Sequence, residues 1–280
     1  MAKAHIYQLY ADDAARDAID PAFRPLALHG SERPDWREYG AMRKLLRETT
    51  LEAADFYGVL GPRFGPDTEL TPDQVIEFVG LVGADYDVIS FSPHPDQHAL
   101  FWNVFEQADY QLPGNAMLCQ EVLAALGFEL DVTELVMDSR NSIFGNYFVA
   151  KPVFWAKWLD ITGRLMALAD GGGPLADRLN LPLPLRSGLS DPAMGQVKLL
   201  VMERVASLVL ATSPSLKSIA YQPFMRPRTD SPFADFAVEA VLSDALKIAF
   251  NVRGDPIYRA AFGHIRDQVK AALDAKTAGG

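Results

Sequence analysis

One carboxylate, Glu203, interrupts the most apolar part of the chain, Leu199 to Met202 and Val205 to Ala211. On a wheel of about 100° per residue it shares a narrow stripe with Gln196 and Ser207, Arg204 lies beside it, and Val, Leu and Met fill nearly all the rest. Burying an ionised glutamate without a partner costs several kcal/mol, so this stripe must meet solvent, an arginine or a polar cleft. In a cleft, the carboxylate is placed to act as a general base.

A second group of candidates lies in 93–98, where Pro93 is followed by His94, Pro95, Asp96, Gln97 and His98. The preceding run, Tyr86 to Ser92, reads as a strand, and ligands of α/β sheets gather beyond the carboxyl ends of strands. Asp96 with His94 is the pair a hydrolase could use. His94 and His98 have the His-x-x-x-His spacing of a zinc site, but Pro95 separates them and no third ligand follows at a fixed distance. Asp85-Tyr86-Asp87 has the Asp-x-Asp form that holds a divalent cation against a diphosphate, yet it precedes its strand, so it reads as a turn. No metal is assigned.

Arg63 sits in Gly61-Pro62-Arg63-Phe64-Gly65 just past another strand, where a guanidinium reaches a phosphate or sugar hydroxyl, or simply occupies a surface turn. Arg140-Asn141-Ser142 and Asn146 lie close in sequence to Tyr147, Phe148, Phe154, Trp155 and Trp158. Polar groups among aromatics are the composition of sugar sites, although most of these rings read as core. Gly-x-Gly-x-x-Gly, Gly-x-x-x-x-Gly-Lys, Gly-x-Ser-x-Gly and His-Glu-x-x-His are all missing, which argues against dehydrogenases, P-loop enzymes, serine hydrolases and zinc proteases.

The elements that must hold these residues follow from periodicity. Strands are predicted at 5–10, 56–60, 86–92 and 143–150, and helices at 72–82, 96–108, 115–126, 153–169, 196–211, 234–250 and 255–274. Thr71-Pro72-Asp73 supplies a cap, a first-turn proline and a first-turn acid. The segment 171–195 holds five glycines and four prolines and reads as an irregular connection or lid. Strands alternating with helices predict an α/β fold with a helical C-terminal third, as a single domain over 1–270 with a frayed tail at 271–280.

Composition sets the outer limits. The 280 residues are 49% apolar and 22% charged, as in folded globular proteins, and 26 Lys and Arg face 36 Asp and Glu for a net charge of −10. Such a balance argues against nucleic acid as a partner. The single cysteine, Cys119, permits no internal disulfide, and neither a signal peptide nor a membrane span is visible, so a cytoplasmic protein is expected.

The order of four motifs carries a resemblance. Tyr57-Gly58-Val59-Leu60 with Arg63-Phe64 comes first, then the strand Asp87 to Ser92. Ser142-Ile143-Phe144-Gly145-Asn146-Tyr147-Phe148-Val149-Ala150-Lys151 follows, leading into Phe154-Trp155, and Met202-Glu203-Arg204-Val205 comes last. Over most of its length the chain resembles small GT-A-type glycosyltransferases of bacterial polysaccharide gene clusters. The resemblance implies a GT-A-like, Rossmann-like mixed sheet flanked by helices. It also implies transfer of a sugar from a nucleotide-sugar donor to a glycan, lipid-linked or protein acceptor, by a cytoplasmic enzyme or one peripheral to the inner face of the membrane, alone or as a homo-oligomer.

Glu203 would then face the cleft as base or orienting group, with Asp96 as the second catalytic candidate. Tyr57, Arg63, His94, Gln97, Arg140, Asn146, Tyr147 and Lys198 would contact substrate. With no Asp-x-Asp after a strand, Arg63, Arg140 and Lys198 are the cations left to neutralise a leaving diphosphate, Lys198 lying opposite Glu203 on its helix. The competing readings are a catalytically silent scaffold of the same fold and a different α/β enzyme such as a hydrolase.

Overall fold

The computed structural model of the chain describes residues 2–28, 33–183 and 195–278. Among them, six strands form one mixed sheet: β1 (Ala4–Tyr10), β2 (Arg24–Ala27), β3 (Phe56–Leu60), β4 (Val88–Ser90), β5 (Phe148–Ala150) and β6 (Ser218–Ala220). Their order is β2-β1-β3-β5-β4-β6. Only β5 runs against its neighbours, inserted between β3 and β4 with Ala150 opposite both Tyr57 and Val88. Gly58 makes this insertion fit, because a Cβ there would come within 2.7 Å of the Val149 side chain and 2.9 Å of the Phe148 carbonyl.

Strand residues alternate between two apolar layers, as a sheet covered on both faces requires. Tyr57, Val59, Val88, Phe148 and Ala150 pack with Trp155 and Trp158, while Phe56, Leu60, Ile89 and Val149 pack with Phe64, Val75 and Val79. On the first face lie α2 (Glu38–Glu48), α6 (Val104–Gln111), α7 (Asn115–Ala125), α8 (Pro152–Asp170) and α10 (Lys198–Ala211). On the second lie α3 (Phe64–Thr68) and α4 (Pro72–Val82). Trp155 ties α8 to the sheet by donating its indole N–H to the carbonyls of Tyr57 and Ala150, at 3.1 and 3.0 Å. The α/β architecture is therefore the expected one. No described helix is long and apolar enough to cross a membrane.

Four expected segments differ. The predicted strand 143–150 is a strand only over Phe148–Ala150, because Gly145 and Asn146 are both left-handed, with φ of 64° and 57°, and turn the chain ahead of it. The predicted helix 96–108 is α5 (Pro95–His98) and then α6. The break falls at Asn103, whose side chain accepts from the amides of Phe105 and Glu106 and so caps a new helix. Within 171–195 the chain forms α9 (Pro174–Leu179), and residues 184–194 lie outside the described residues. The predicted frayed end is helical as far as Ala278. It belongs to α12 (Pro256–Ala278), which packs on α11 (Ala237–Arg253), and Lys276 pairs with Asp235 at 2.8 Å. The short helix α1 (Asp13–Asp17), α2 and the edge strand β2 were not expected at all.

Candidate functional site

Because β5 is reversed, the loop that leads into it lies at the carboxyl edge of parallel strands β3 and β4. This loop is pinned on two sides. The Ser207 hydroxyl accepts from the Ile143 amide at 2.8 Å, and the Ser92 hydroxyl from the Phe144 amide at 2.9 Å. Ser207 is one helical turn beyond Glu203, so these two of the stripe face the loop, while Gln196 lies ahead of α10 and donates to the Asn180 carbonyl at 2.8 Å. Between the helix and the loop is a cleft of about 170 Å³ whose polar lining is Glu38, Tyr39, Asn146, Glu203 and Arg204. That volume is below the roughly 300–1,000 Å³ of drug-sized ligand sites, so the cleft takes part of a small polar ligand rather than a whole one.

The lining is electrostatically uneven. Glu203 has a side chain half exposed and pairs with Arg204 at 2.8 Å, while Arg204 is buried and also donates to the Leu200 carbonyl at 2.7 Å. Glu38, in the first turn of α2, has its carboxyl pushed above the ordinary range, chiefly by burial and further by the charge of Glu203. The Tyr39 hydroxyl lies toward Asn146 without reaching hydrogen-bond geometry, and both it and the Arg204 Nε are buried polar atoms with no partner. Both are positioned to pair with a water or a ligand group in the cleft.

Of the residues singled out in the sequence, Glu203 and Asn146 meet in this cleft. Tyr147 adjoins it: its hydroxyl donates to Asp67 at 2.9 Å, and Asp67 also receives the Arg63 guanidinium at 2.7 Å. The others lie elsewhere. Asp96 is 1% exposed and accepts from the Thr229 amide at 3.1 Å, the Ser231 hydroxyl at 2.8 Å and the Thr229 hydroxyl. Gln97 joins the same knot through Thr229 at 2.9 Å, and the His94 ring meets the Pro227 carbonyl. These three anchor the 227–231 segment.

Arg140 forms a two-pronged pair with buried Asp138. Lys198 is buried between Asp35, at 2.7 Å, and Asn180, at 2.9 Å. Tyr57 stacks on His5 and its hydroxyl accepts from the Glu52 amide at 2.8 Å. Asp85 to Asp87 is the turn between α4 and β4, with Asp87 accepting from the Lys217 amide at 3.0 Å. Among the described residues, no three His, Cys, Asp or Glu side chains come together as a metal site.

Glu38 and Tyr39 are the cleft residues that sequence reasoning missed. Tyr39 had a signal, since Trp36, Tyr39, Met42 and Leu46 recur at helical spacing and are all buried; Glu38 had none.

His98, the last residue of α5, stacks on Phe144 of the cleft loop, and its Nδ1 has no hydrogen-bond partner. Burial, with the neighbouring Lys247 charge, pushes its pKa down to about 3. The unfolded chain takes up this proton near pH 6.5 and the folded one does not, so stability falls as pH drops from about 6.5 toward 3. Urea unfolding at pH 7 and pH 5 should show a wild-type loss of about 2 kcal/mol from this group, a loss that His98→Gln removes.

Compared with known proteins, the chain matches no family model, no curated protein and no solved structure.

Proposed function

We propose that the protein is a glycosyltransferase whose acceptor hydroxyl and donor sugar meet in the cleft between α2, α10 and the loop before β5. What carries the reading is the gathering of two carboxyls, an asparagine and an unpartnered tyrosine hydroxyl at the carboxyl edge of an α/β sheet. The ordered sequence motifs and a mixed α/β sheet are consistent with it.

In this reading Glu203, steadied by Arg204, accepts a hydrogen bond from the attacking hydroxyl and orients it. Glu38 takes the proton as the acceptor oxygen bonds to the anomeric carbon and the bond to the nucleotide diphosphate breaks. A carboxyl held above its ordinary range is the better proton acceptor of the two. Asn146 and Tyr39 hold sugar hydroxyls, and Arg63, beyond the end of β3, meets the charge of the leaving diphosphate.

The test is a panel of UDP-, GDP-, CMP- and dTDP-sugars offered to the purified protein. At least one donor should raise the melting temperature and release nucleotide slowly in the absence of acceptor. Indifference to all of them overturns the proposal.

A further inference from the structure

Helix α11 is built inside out. Its buried side chains are Ala240, Ser243, Asp244 and Lys247, whereas Val238 is 67% exposed, Val241 45%, Leu242 49% and Val252 68%. At about 100° per residue those four and exposed Ala245 fall in one stripe roughly 100° wide. The helix cannot roll over to hide it. Asp244 is committed to the Ser139 amide and hydroxyl, each at 2.7 Å, and Lys247 to the His98 and Phe101 carbonyls, each at 2.9 Å.

The stripe is nearly symmetric about Ala245. Val238 and Val252 are equally far from it in sequence, seven residues to either side. Glu239 and Arg253 lie on the same flank of the stripe near its opposite ends. A face with that pattern complements its own reversed copy, apolar against apolar and acid beside base.

We propose that two copies of this chain pack antiparallel through α11, crossing at Ala245 on a two-fold axis. The small side chain at the crossing lets the helices approach closely, and Glu239 of each copy then falls beside Arg253 of the other. A lipid surface fits less well. The stripe holds no lysine or arginine before Arg253, and a net charge of −10 opposes an anionic bilayer. The apolar stripe is about 21 Å long, so the association is expected to depend on concentration.

Sedimentation equilibrium across the micromolar range should give a mass approaching twice 30.8 kDa. Leu242→Glu should weaken the dimer at least tenfold. Ala245→Cys should form an intermolecular disulfide when oxidised glutathione is added, because residue 245 meets its own copy, while Cys119 is buried and does not compete. A wild-type chain monomeric at every concentration overturns the proposal. So does a dimer that Leu242→Glu leaves intact and Ala245→Cys fails to cross-link, or a monomer that floats with phosphatidylcholine vesicles.

Discussion

Glu38→Gln should lower kcat by about 10²- to 10⁴-fold with whichever nucleotide sugar the protein uses, the range spanned by a positioned general base. The substitution keeps the side-chain volume and removes the proton acceptor, so the melting temperature should hold or rise, since a carboxyl held above its ordinary range by burial is replaced by a neutral amide. Glu203→Gln should behave differently. Its carboxylate is half exposed and bound to Arg204, so its loss should act on KM for the acceptor more than on kcat. Steady-state kinetics with the acceptor varied separate the two. Equal effects on kcat from both variants would reverse the assignment of roles, and full activity in both would remove the cleft from the reaction.

The largest stability effect is expected at the buried charges of α11. Lys247, 1% exposed, and Asp244, 2% exposed, lie within each other's field. Burial lowers the Lys247 pKa to about 8 and raises that of Asp244. Asp244→Ala strips Lys247 of its main favourable charge and should cost about 3–5 kcal/mol in urea unfolding at pH 7.

The pH dependence has a definite sign. The folded Lys247 releases its proton near pH 8 while the unfolded chain keeps it to about pH 10.4, so stability gains from this group as pH rises through that window. Losing Asp244 lowers the folded pKa of Lys247 further, so the Asp244→Ala deficit should shrink when unfolding is measured at pH 9. A deficit that does not change between pH 7 and pH 9 would show that the loss comes from the Ser139 hydrogen bonds alone.

Much of the scaffold was legible because local chemistry and tertiary packing agree. Thr71-Pro72-Asp73 marked the start of α4, and the structure adds Gln74 to complete a capping box. β3 reads as a strand from its aromatic and β-branched run. β2 does not, since Arg24-Pro25-Leu26-Ala27 holds a proline that only an edge strand accepts.

The site was half visible for the same kind of reason. Glu203 declared itself as a charge among apolar residues. Glu38 sits in a charged neighbourhood where one more acid carries no signal until α2 brings it to the cleft. Asp96 and His94 have the composition of a site but are consumed by holding the 227–231 segment, a distinction that depends on partners more than 130 residues away. The outward apolar face of α11 reverses the assumption behind every wheel, that the greasy side is the inner one.

Placing a reversed three-residue strand in the middle of the sheet dictates the order of assembly. During synthesis, β1, β2 and β3 can pair as soon as residue 60 has left the ribosome, but β4 has nothing to join until residues 148–150 arrive about sixty residues later. Until then β3 shows a bare hydrogen-bonding rim. A chain truncated before Phe148 should therefore aggregate rather than yield a smaller soluble sheet.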